Sequence, residues 1–291
     1  MFDMRYHIVS LVAVFLALAV GIVLGSVIVD KGTLVEQQKS LVGKLEKDFA
    51  DLRSENARLN GEVQRDEQYA KQSFYPLTKD RLAGQHIAVI FTSPVDNTTK
   101  RTVLDALHWS GATYSSVSIN QSWNLDDKNV QDKVMADVQG SPGQTLRERL
   151  LNRLADFYLA PPADNKVLLD YAAAGLIGAD ALPAPQPNGQ PAVQPNAVLL
   201  VGGSDGKNTV KEVDGVLIDR LKGAGKVRLV GVETSARKVS YMNAYQRSGI
   251  ATVDNIDERS GQVSMIFALA GASGNFGTKP TANQPIPTMA P

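Results

Sequence analysis

The feature that most constrains this chain is an uncharged, strongly apolar run near its start. Residues 8–29 read IVSLVAVFLALAVGIVLGSVIV and contain no Asp, Glu, Lys or Arg. At about 1.5 Å of rise per helical residue, the run is roughly 33 Å long, which matches a hydrocarbon core of about 30 Å. The apolar region of a cleaved signal peptide is shorter, at about 7–15 residues. We therefore predict a retained transmembrane anchor over residues 8–29, preceded by a cytoplasmic N-terminus at residues 1–7.

The orientation of this anchor is predicted from the two segments that flank it. The basic residues nearest to its ends are Arg5 on one side and Lys31 on the other. The positive-inside rule, which compares the numbers of Lys and Arg on the two sides, therefore indicates no clear orientation. A short N-terminal flank followed by a long polar region favours an inside N-terminus and an extracytoplasmic C-terminal domain. The chain contains no cysteine, which excludes disulfides, thiolate metal sites and thiol catalysis. We expect a single-pass protein of the cell membrane.

One face of the anchor carries a small residue at every fourth position, and we call this set the small-residue ladder. Small side chains at this spacing let two helix backbones approach closely, which favours a dimer. Transmembrane helices are rich in Ala and Gly in general, so chance is the alternative explanation. The ladder consists of Ala13, Ala17, Gly21 and Gly25.

A heptad repeat without a break follows the anchor, and residues 30–75 are predicted to form a parallel coiled coil. Leucines at d positions with β-branched residues at several a positions favour two parallel strands, and Asn56 at a central a position would fix their register. The alternative is a lone amphipathic helix packed on the globular domain, which usually has a wider apolar stripe. Pro76 is predicted to end the helix because it lacks an N–H donor. The residues predicted to form the dimer seam are Val42, Leu45, Phe49, Leu52, Asn56, Leu59 and Val63.

From residue 84 the pattern changes to short apolar runs that alternate with amphipathic segments. Alternating strands and helices imply an α/β domain over residues 84–276, with a mostly parallel sheet covered on both faces. The predicted strands are 86–92, 113–119, 197–201, 227–232 and 252–253. The predicted helices are 98–110, 127–138, 145–159, 165–174, 209–221, 240–247 and 262–270. Proline-rich composition predicts a solvated loop at 181–196 and a disordered tail at 277–291.

Two motifs in this domain could carry chemistry. The glycine-rich turn GGSDGK, residues 202–207, lies between a strand and a helix, but its spacing differs from that of a P-loop, and Asp205 would oppose an anion. A tight strand-to-helix turn is the preferred interpretation. The acidic cluster, which comprises Asp254, Asp257 and Glu258, follows a strand. Loops at strand ends host sites in open α/β sheets, so this cluster could bind a cation or catalyse, and it is the alternative that would make the chain an enzyme. Such a cluster more often caps the helix that follows it.

Other ligand classes are weakly represented. The 30 basic and 30 acidic residues balance, and nucleic-acid binding is not predicted because it needs a basic surface. The histidines His7, His86 and His108 are scattered, and the one local group of copper-type ligands is Met1, Met4 and His7 at three-residue spacing. No cofactor and no catalytic residue are predicted, and copper binding is left open.

Two stretches resemble a known family. HIVSLVAVFLALAVGIVLGS at residues 7–26 is similar to the N-terminus of the mycobacterial copper transport protein family, the MctB-like proteins. TVDNID at 252–257 and GQVSMIFALA at 261–270 resemble its C-terminal signature, and residues 274–279 follow in a similar place. The family name implies copper efflux. The family includes the corynebacterial SteB proteins, and this implies a SteA-like protein partner in the cell envelope and in division.

The favoured interpretation is a non-enzymatic envelope protein that dimerises and presents its α/β domain to a protein partner. One helix cannot enclose a pore without several copies, and the chain has few copper ligands. Copper transport, as the family name implies, is the first alternative. An envelope hydrolase or transferase that uses the acidic cluster is the second.

Overall fold

A computed structural model describes residues 4–120, 122–134, 143–184 and 190–288 of the chain. The chain divides into two compact units, Met1–Asp66 and Glu67–Pro291. The helices are α1 (Met4–Thr78), α2 (Asn97–Trp109), α3 (Lys128–Val134), α4 (Leu146–Leu159), α5 (Lys166–Ala173), α6 (Asp214–Gly223), α7 (Met242–Arg247) and α8 (Arg259–Ala270). The strands are β1 (His86–Phe91), β2 (Thr113–Ile119), β3 (Ile177–Ala181), β4 (Ala197–Val201), β5 (Arg228–Val232), β6 (Ala251–Val253) and β7 (Asn275–Phe276).

The first unit is helical throughout its described residues. Helix α1 contains a segment, Arg5–Ser26, that is long and apolar enough to cross a membrane. The predicted N-terminal apolar helix is therefore confirmed. The predicted coil residues 35–66 are helical as well, and the side chains of this stretch are nearly all exposed.

Pro76 lies inside α1, and the prediction that it ends the helix is wrong by two residues. Proline removes a single N–H donor, so the remaining bonds of that turn can still form. The Lys79 N–H donates to the Tyr75 carbonyl at 2.9 Å, and the Thr78 hydroxyl donates to the Phe74 carbonyl at 2.7 Å. Phe74 is buried in the apolar core of the second unit. The α/β unit thus begins at Glu67, before the predicted start at residue 84.

The second unit is built on one seven-stranded sheet with the order β3-β2-β1-β4-β5-β6-β7. The predicted α/β domain is confirmed as a mixed sheet, since β2 and β3 pair antiparallel and the other neighbours pair parallel. Strand order reverses between β1 and β4. In open α/β sheets the crevice beyond the carboxyl ends of the strands at such a reversal is the usual ligand site.

Helices cover both faces of this sheet, and each strand sends alternate side chains to opposite faces. On one face β1 contributes Ala88 and Ile90 to a core with α4, α6 and α7. On the other face it contributes Ile87, Val89 and Phe91 to a core with α2 and α8. Burial on both faces explains why β1 and β4 are continuous apolar runs in the sequence.

Two segments differ from the sequence predictions. Strand β3 was not predicted, because IGADA is short and its Gly, Ala and Asp residues have low strand propensity. The tail is ordered over residues 277–288, where Gly277 N–H donates to Gln284 O at 3.1 Å and Gln284 bridges to Phe276. The predicted disorder is therefore wrong for these residues, and residues 289–291 lie outside the described chain. Parts of the predicted helix 127–138 and loop 181–196 also lie outside it, at 135–138 and 185–189.

Gly261→Ala is expected to destabilise the domain by about 3 kcal/mol, because overpacking against rigid backbone is costly. A Cβ atom at Gly261, in the first turn of α8, would overlap the main-chain carbonyl of Asn255. Denaturant unfolding followed by tryptophan fluorescence measures the loss, since Trp109 and Trp123 both lie in the α/β unit.

Gly223→Ala is the matched control for this prediction. Gly223 ends α6, and a Cβ atom there would have no neighbour within 4 Å. Alanine stabilises a helix relative to glycine by up to about 1 kcal/mol. Equal stabilities of the two alanine variants would show that the close approach of α8 to Asn255 does not require glycine.

Candidate functional site

The exposed face of α1 is the first candidate site, and we call the predicted a and d side chains of the coil the seam. These large apolar side chains are between 47% and 65% exposed. Apolar groups at i, i+3, i+4 and i+7 lie along one side of a helix. The exposed apolar members of the seam are Val42, Leu45, Phe49, Leu52, Leu59 and Val63.

A shallow hollow of about 410 Å³ lies in the middle of the seam. Phe49, Leu52, Arg53 and Asn56 are among its lining residues, and their spacing is i, i+3, i+4 and i+7. Four residues at this spacing frame the hole that accepts one side chain of a facing helix in a coiled coil. The spacing of these four residues is therefore the spacing that a coiled-coil hole requires.

Asn56 lies in this hollow and is also bound along its own helix. Its Oδ1 accepts a hydrogen bond of 2.8 Å from Asn60 Nδ2. An amide side chain has two donor hydrogens and a second acceptor lone pair. Asn56 can therefore keep this bond and still pair across a seam.

The small-residue ladder lies within the candidate membrane span. A Cβ atom at Gly21 or Gly25 would have no neighbour within 4 Å. Packing within the described part of the first unit therefore gives no reason for glycine at these positions. A close approach by another helix backbone would give one.

The carboxyl edge of the sheet is the second candidate site, and side chains of its loops bond to one another there. In the glycine-rich turn, Gly203 has a φ of 78°, and a Cβ atom there would lie 2.7 Å from Arg237 Cγ. Arg237 donates to Asp205 at 2.9 Å and to the Pro94 carbonyl at 2.8 Å. This arginine joins the loops that follow β1, β4 and β5, so the turn is closed by an internal ion pair.

Glu233 follows β5 and is fully buried. Its carboxylate accepts bonds from Lys279 Nζ at 2.6 Å, Ser240 Oγ at 2.6 Å and the Tyr241 N–H at 2.8 Å. Lys279 also donates to the Thr234 carbonyl at 3.0 Å. A fully buried carboxylate needs such partners, because a buried charge that loses its partner is strongly destabilising.

The acidic cluster does not act as one group in the structure. Asp254 accepts the N–H groups of Thr278 and Lys279 at 2.8 and 3.1 Å, and so holds the C-terminal segment against the sheet. Asp257 instead binds the N–H and hydroxyl of Ser235 at 2.7 and 2.6 Å.

The third member of the cluster, Glu258, is bound by Asn255 Nδ2 at 2.9 Å. The three carboxylates thus bind three different partners, namely the C-terminal segment, Ser235 and Asn255. Across the described ranges, no group of three or more His, Cys, Asp or Glu side chains could hold a metal ion.

The histidines are also apart. His86 is largely buried beside Thr113 and Ser115, with ring nitrogens at 3.1 and 3.3 Å from their hydroxyls. Burial lowers the pKa of His86, which favours a neutral ring. His108 lies edge-on to Trp109 with ring centroids 6.0 Å apart. His7 is exposed on α1, and Met1 lies outside the described residues.

Asp214 is a buried acid that sequence analysis missed. It begins α6 and accepts bonds from the hydroxyls of Thr92, at 2.6 Å, and Tyr245. Burial raises the pKa of Asp214 from 3.8 to about 6, although both hydrogen bonds act to lower it. An acid at the start of a helix is common in any sequence, so its burial could be found only from the tertiary structure.

Asp214→Asn is expected to change how stability depends on pH. Because the folded-state pKa is raised, the wild-type domain loses stability from this group as pH rises from about 4 to above 6. The rise from 3.8 to about 6 corresponds to about 3 kcal/mol. Asparagine cannot ionise, so the stability difference between wild type and variant should shift against wild type by about 2 kcal/mol between pH 4.5 and pH 7.5, since part of the full change already occurs below pH 4.5. Urea unfolding at pH 4.5 and pH 7.5 tests this, and a pH-independent difference would contradict it.

Comparison with known proteins identifies the family to which the chain belongs. The family model for "Copper transport outer membrane protein, MctB" matches residues 1–287. Proteins named "Copper transporter MctB" from Mycobacterium bovis and Mycobacterium tuberculosis are 26% identical to this chain, over 96% of its length and 96% of theirs. These matches confirm the resemblance found at the anchor and at the C-terminal signature. The chain therefore belongs to the family described as copper transport outer membrane protein, MctB.

Proposed function

We propose that this chain is a membrane-anchored, non-enzymatic envelope protein that forms a parallel homodimer through α1 and presents its α/β domain to a protein partner. The single observation that supports the dimer most strongly is the half-exposed seam with its central hollow. When a second apolar stripe covers the stripe that a helix exposes to water, the free energy falls, because apolar surface is removed from water.

A second copy of the chain is the best occupant for this seam. Identical helices in register place Leu52 of one copy opposite the hollow of the other, and place the two Asn56 side chains within reach of each other. The anchor holds both copies in one membrane plane with the same orientation. That raises their effective concentration and selects the parallel arrangement.

The α/β domain is proposed to lie outside the membrane and to act by surface recognition. At its carboxyl edge, where open α/β sheets usually bind small ligands, Arg237 pairs with Asp205 and Glu233 pairs with Lys279, which links the loops to one another. A SteA-like protein of the cell envelope and division machinery is the partner that the family resemblance implies. Protease treatment of intact spheroplasts tests the orientation, since an outside domain should be degraded without lysis.

Cysteine crosslinking in membranes tests the dimer. Leu52→Cys should crosslink between copies under mild oxidation, because d residues of a parallel coil face each other. Ser54→Cys is the matched control, since Ser54 is exposed two residues away and outside the seam. The chain has no other cysteine to compete. Equal crosslinking of the two variants would mean that the seam does not hold a dimer.

Copper handling is the second candidate, and the name of the relatives, copper transporter, is the observation that favours it. The soft ligands that could take part are those that the sequence places at three-residue spacing, Met1, Met4 and His7. Competition titration of the full chain with copper(I) separates the two functions. A stoichiometric, high-affinity site that is lost in His7→Ala would favour copper handling over a purely scaffolding role.

A further inference from the structure

The opposite, amino edge of the sheet contains a cavity of about 260 Å³ that no part of the proposed dimer uses. Three helices, α6, α7 and α8, end around it. Each of them is followed or capped by a glycine with positive φ, namely Gly225 (63°), Gly249 (69°) and Gly271 (126°). All three glycines line the cavity, and their missing side chains leave it open.

Two basic side chains stand in the wall of this cavity. Lys222 Nζ donates to the Ser248 carbonyl at the end of α7, and Arg228 Nη1 donates to the Leu269 carbonyl in the last turn of α8. Each cation thus neutralises a helix C-terminus. Lysine has three donor hydrogens and arginine has five, so donors remain on both.

The charge around the cavity favours a single negative charge. No acidic side chain is among its lining residues. Two cations contribute two positive charges, and the three helix C-termini together offset about one to one and a half charges. The net local charge is therefore about +0.5 to +1, which suits a carboxylate better than a phosphate monoester of charge about −2.

Five apolar side chains complete the described lining, together with Ser273 and the three glycines. Leu229 and Ile250 are each 7% exposed and form part of the surface, together with Val227, Ala251 and Ala272. The N–H groups of Gly225, Gly249 and Gly271 donate to carbonyls of their own helix ends, so contacts to an anion come from side chains. We propose that this cavity binds a small aliphatic carboxylate, with its charge between Lys222 and Arg228 and its short chain on Leu229 and Ile250.

Ligand-observed NMR with the full chain in a non-ionic detergent tests this site, with butyrate as the probe. For so few ligand atoms we expect a Kd on the order of 1–10 mM. Lys222→Gln and Arg228→Gln should each weaken butyrate binding about tenfold, the loss of one charge-assisted hydrogen bond. Lys211→Gln makes the same charge change on an exposed side chain outside the cavity and should leave binding unchanged.

The neutral probe butyramide and inorganic phosphate complete the experiment. Butyramide should bind at least tenfold more weakly than butyrate if the cations hold the carboxylate. The proposal is overturned if butyrate does not bind, or if butyramide binds as tightly as butyrate. It is also overturned if phosphate displaces butyrate at a lower concentration than acetate does, or if Lys222→Gln binds butyrate as tightly as wild type. If Arg228→Gln unfolds because α8 loses its cap, the exposed Lys222 decides the outcome.

Discussion

Leu52→Asp is expected to separate the two coils of the dimer and to lower the association constant of the coil more than about a thousandfold. Each copy loses the burial of one leucine, about 1.5–3 kcal/mol. Each also brings a carboxylate into the seam, where two like charges would face each other without a cation, at a cost of several kcal/mol per ion. A total above about 4 kcal/mol corresponds to three orders of magnitude. Sedimentation of the full chain in detergent measures the change.

Ser54→Asp introduces the same charge on the exposed side of the helix and should leave the dimer intact. Any association that remains in Leu52→Asp is attributed to the small-residue ladder. Adding Gly21→Leu should abolish it, because a large side chain keeps two helix backbones apart. The monomer has room for this leucine, since no atom lies within 4 Å of a Cβ at Gly21. A dimer that survives both changes would rule out α1 as its interface.

The parts of the fold that sequence predicts well are those encoded by local patterns. Strand β4 is a fully buried run of five residues, and its predicted and observed bounds coincide at 197–201. The predicted bounds of β2 agree as well, at 113–119. In both cases the apolar and β-branched residues that define the strand are neighbours in sequence. No distant contact is needed to recognise it.

Prediction fails where a distant residue supplies the stabilising contact. The C-terminal segment has the proline-rich composition of a disordered tail, yet it is held by Asp254 and Glu233 from more than twenty residues upstream. Conversely, the acidic cluster looks like one site in sequence, and the structure gives each carboxylate a different structural partner. The burial of Asp214 follows from the position of Tyr245, which is 31 residues away. The local sequence around an acidic residue at the start of a helix does not show that a distant tyrosine will cover it.

Lys279→Met is expected to destabilise the α/β domain by about 3 kcal/mol, because breaking a buried ion pair leaves an uncompensated charge. Glu233 is fully buried, and Lys279 Nζ at 2.6 Å is its cationic partner. The Ser240 and Tyr241 bonds to Glu233 persist in the variant, which places the cost near the lower end of the range for such pairs. The melting temperature reported by tryptophan fluorescence should fall by about 6–12 °C.

The double variant Glu233→Gln with Lys279→Met separates the charge from the packing. Glutamine keeps an acceptor for Ser240 and Tyr241 but buries no charge, so the double variant should regain most of the stability that Lys279→Met loses. The C-terminal segment should follow the same order: protease should cut residues 277–288 faster in Lys279→Met than in wild type or in the double variant. If Lys279→Met alone melts within about 2 °C of wild type, less than 1 kcal/mol by the same conversion, then the ion pair does not hold the segment. Asp254, with its two main-chain bonds, would then be the stronger fastening.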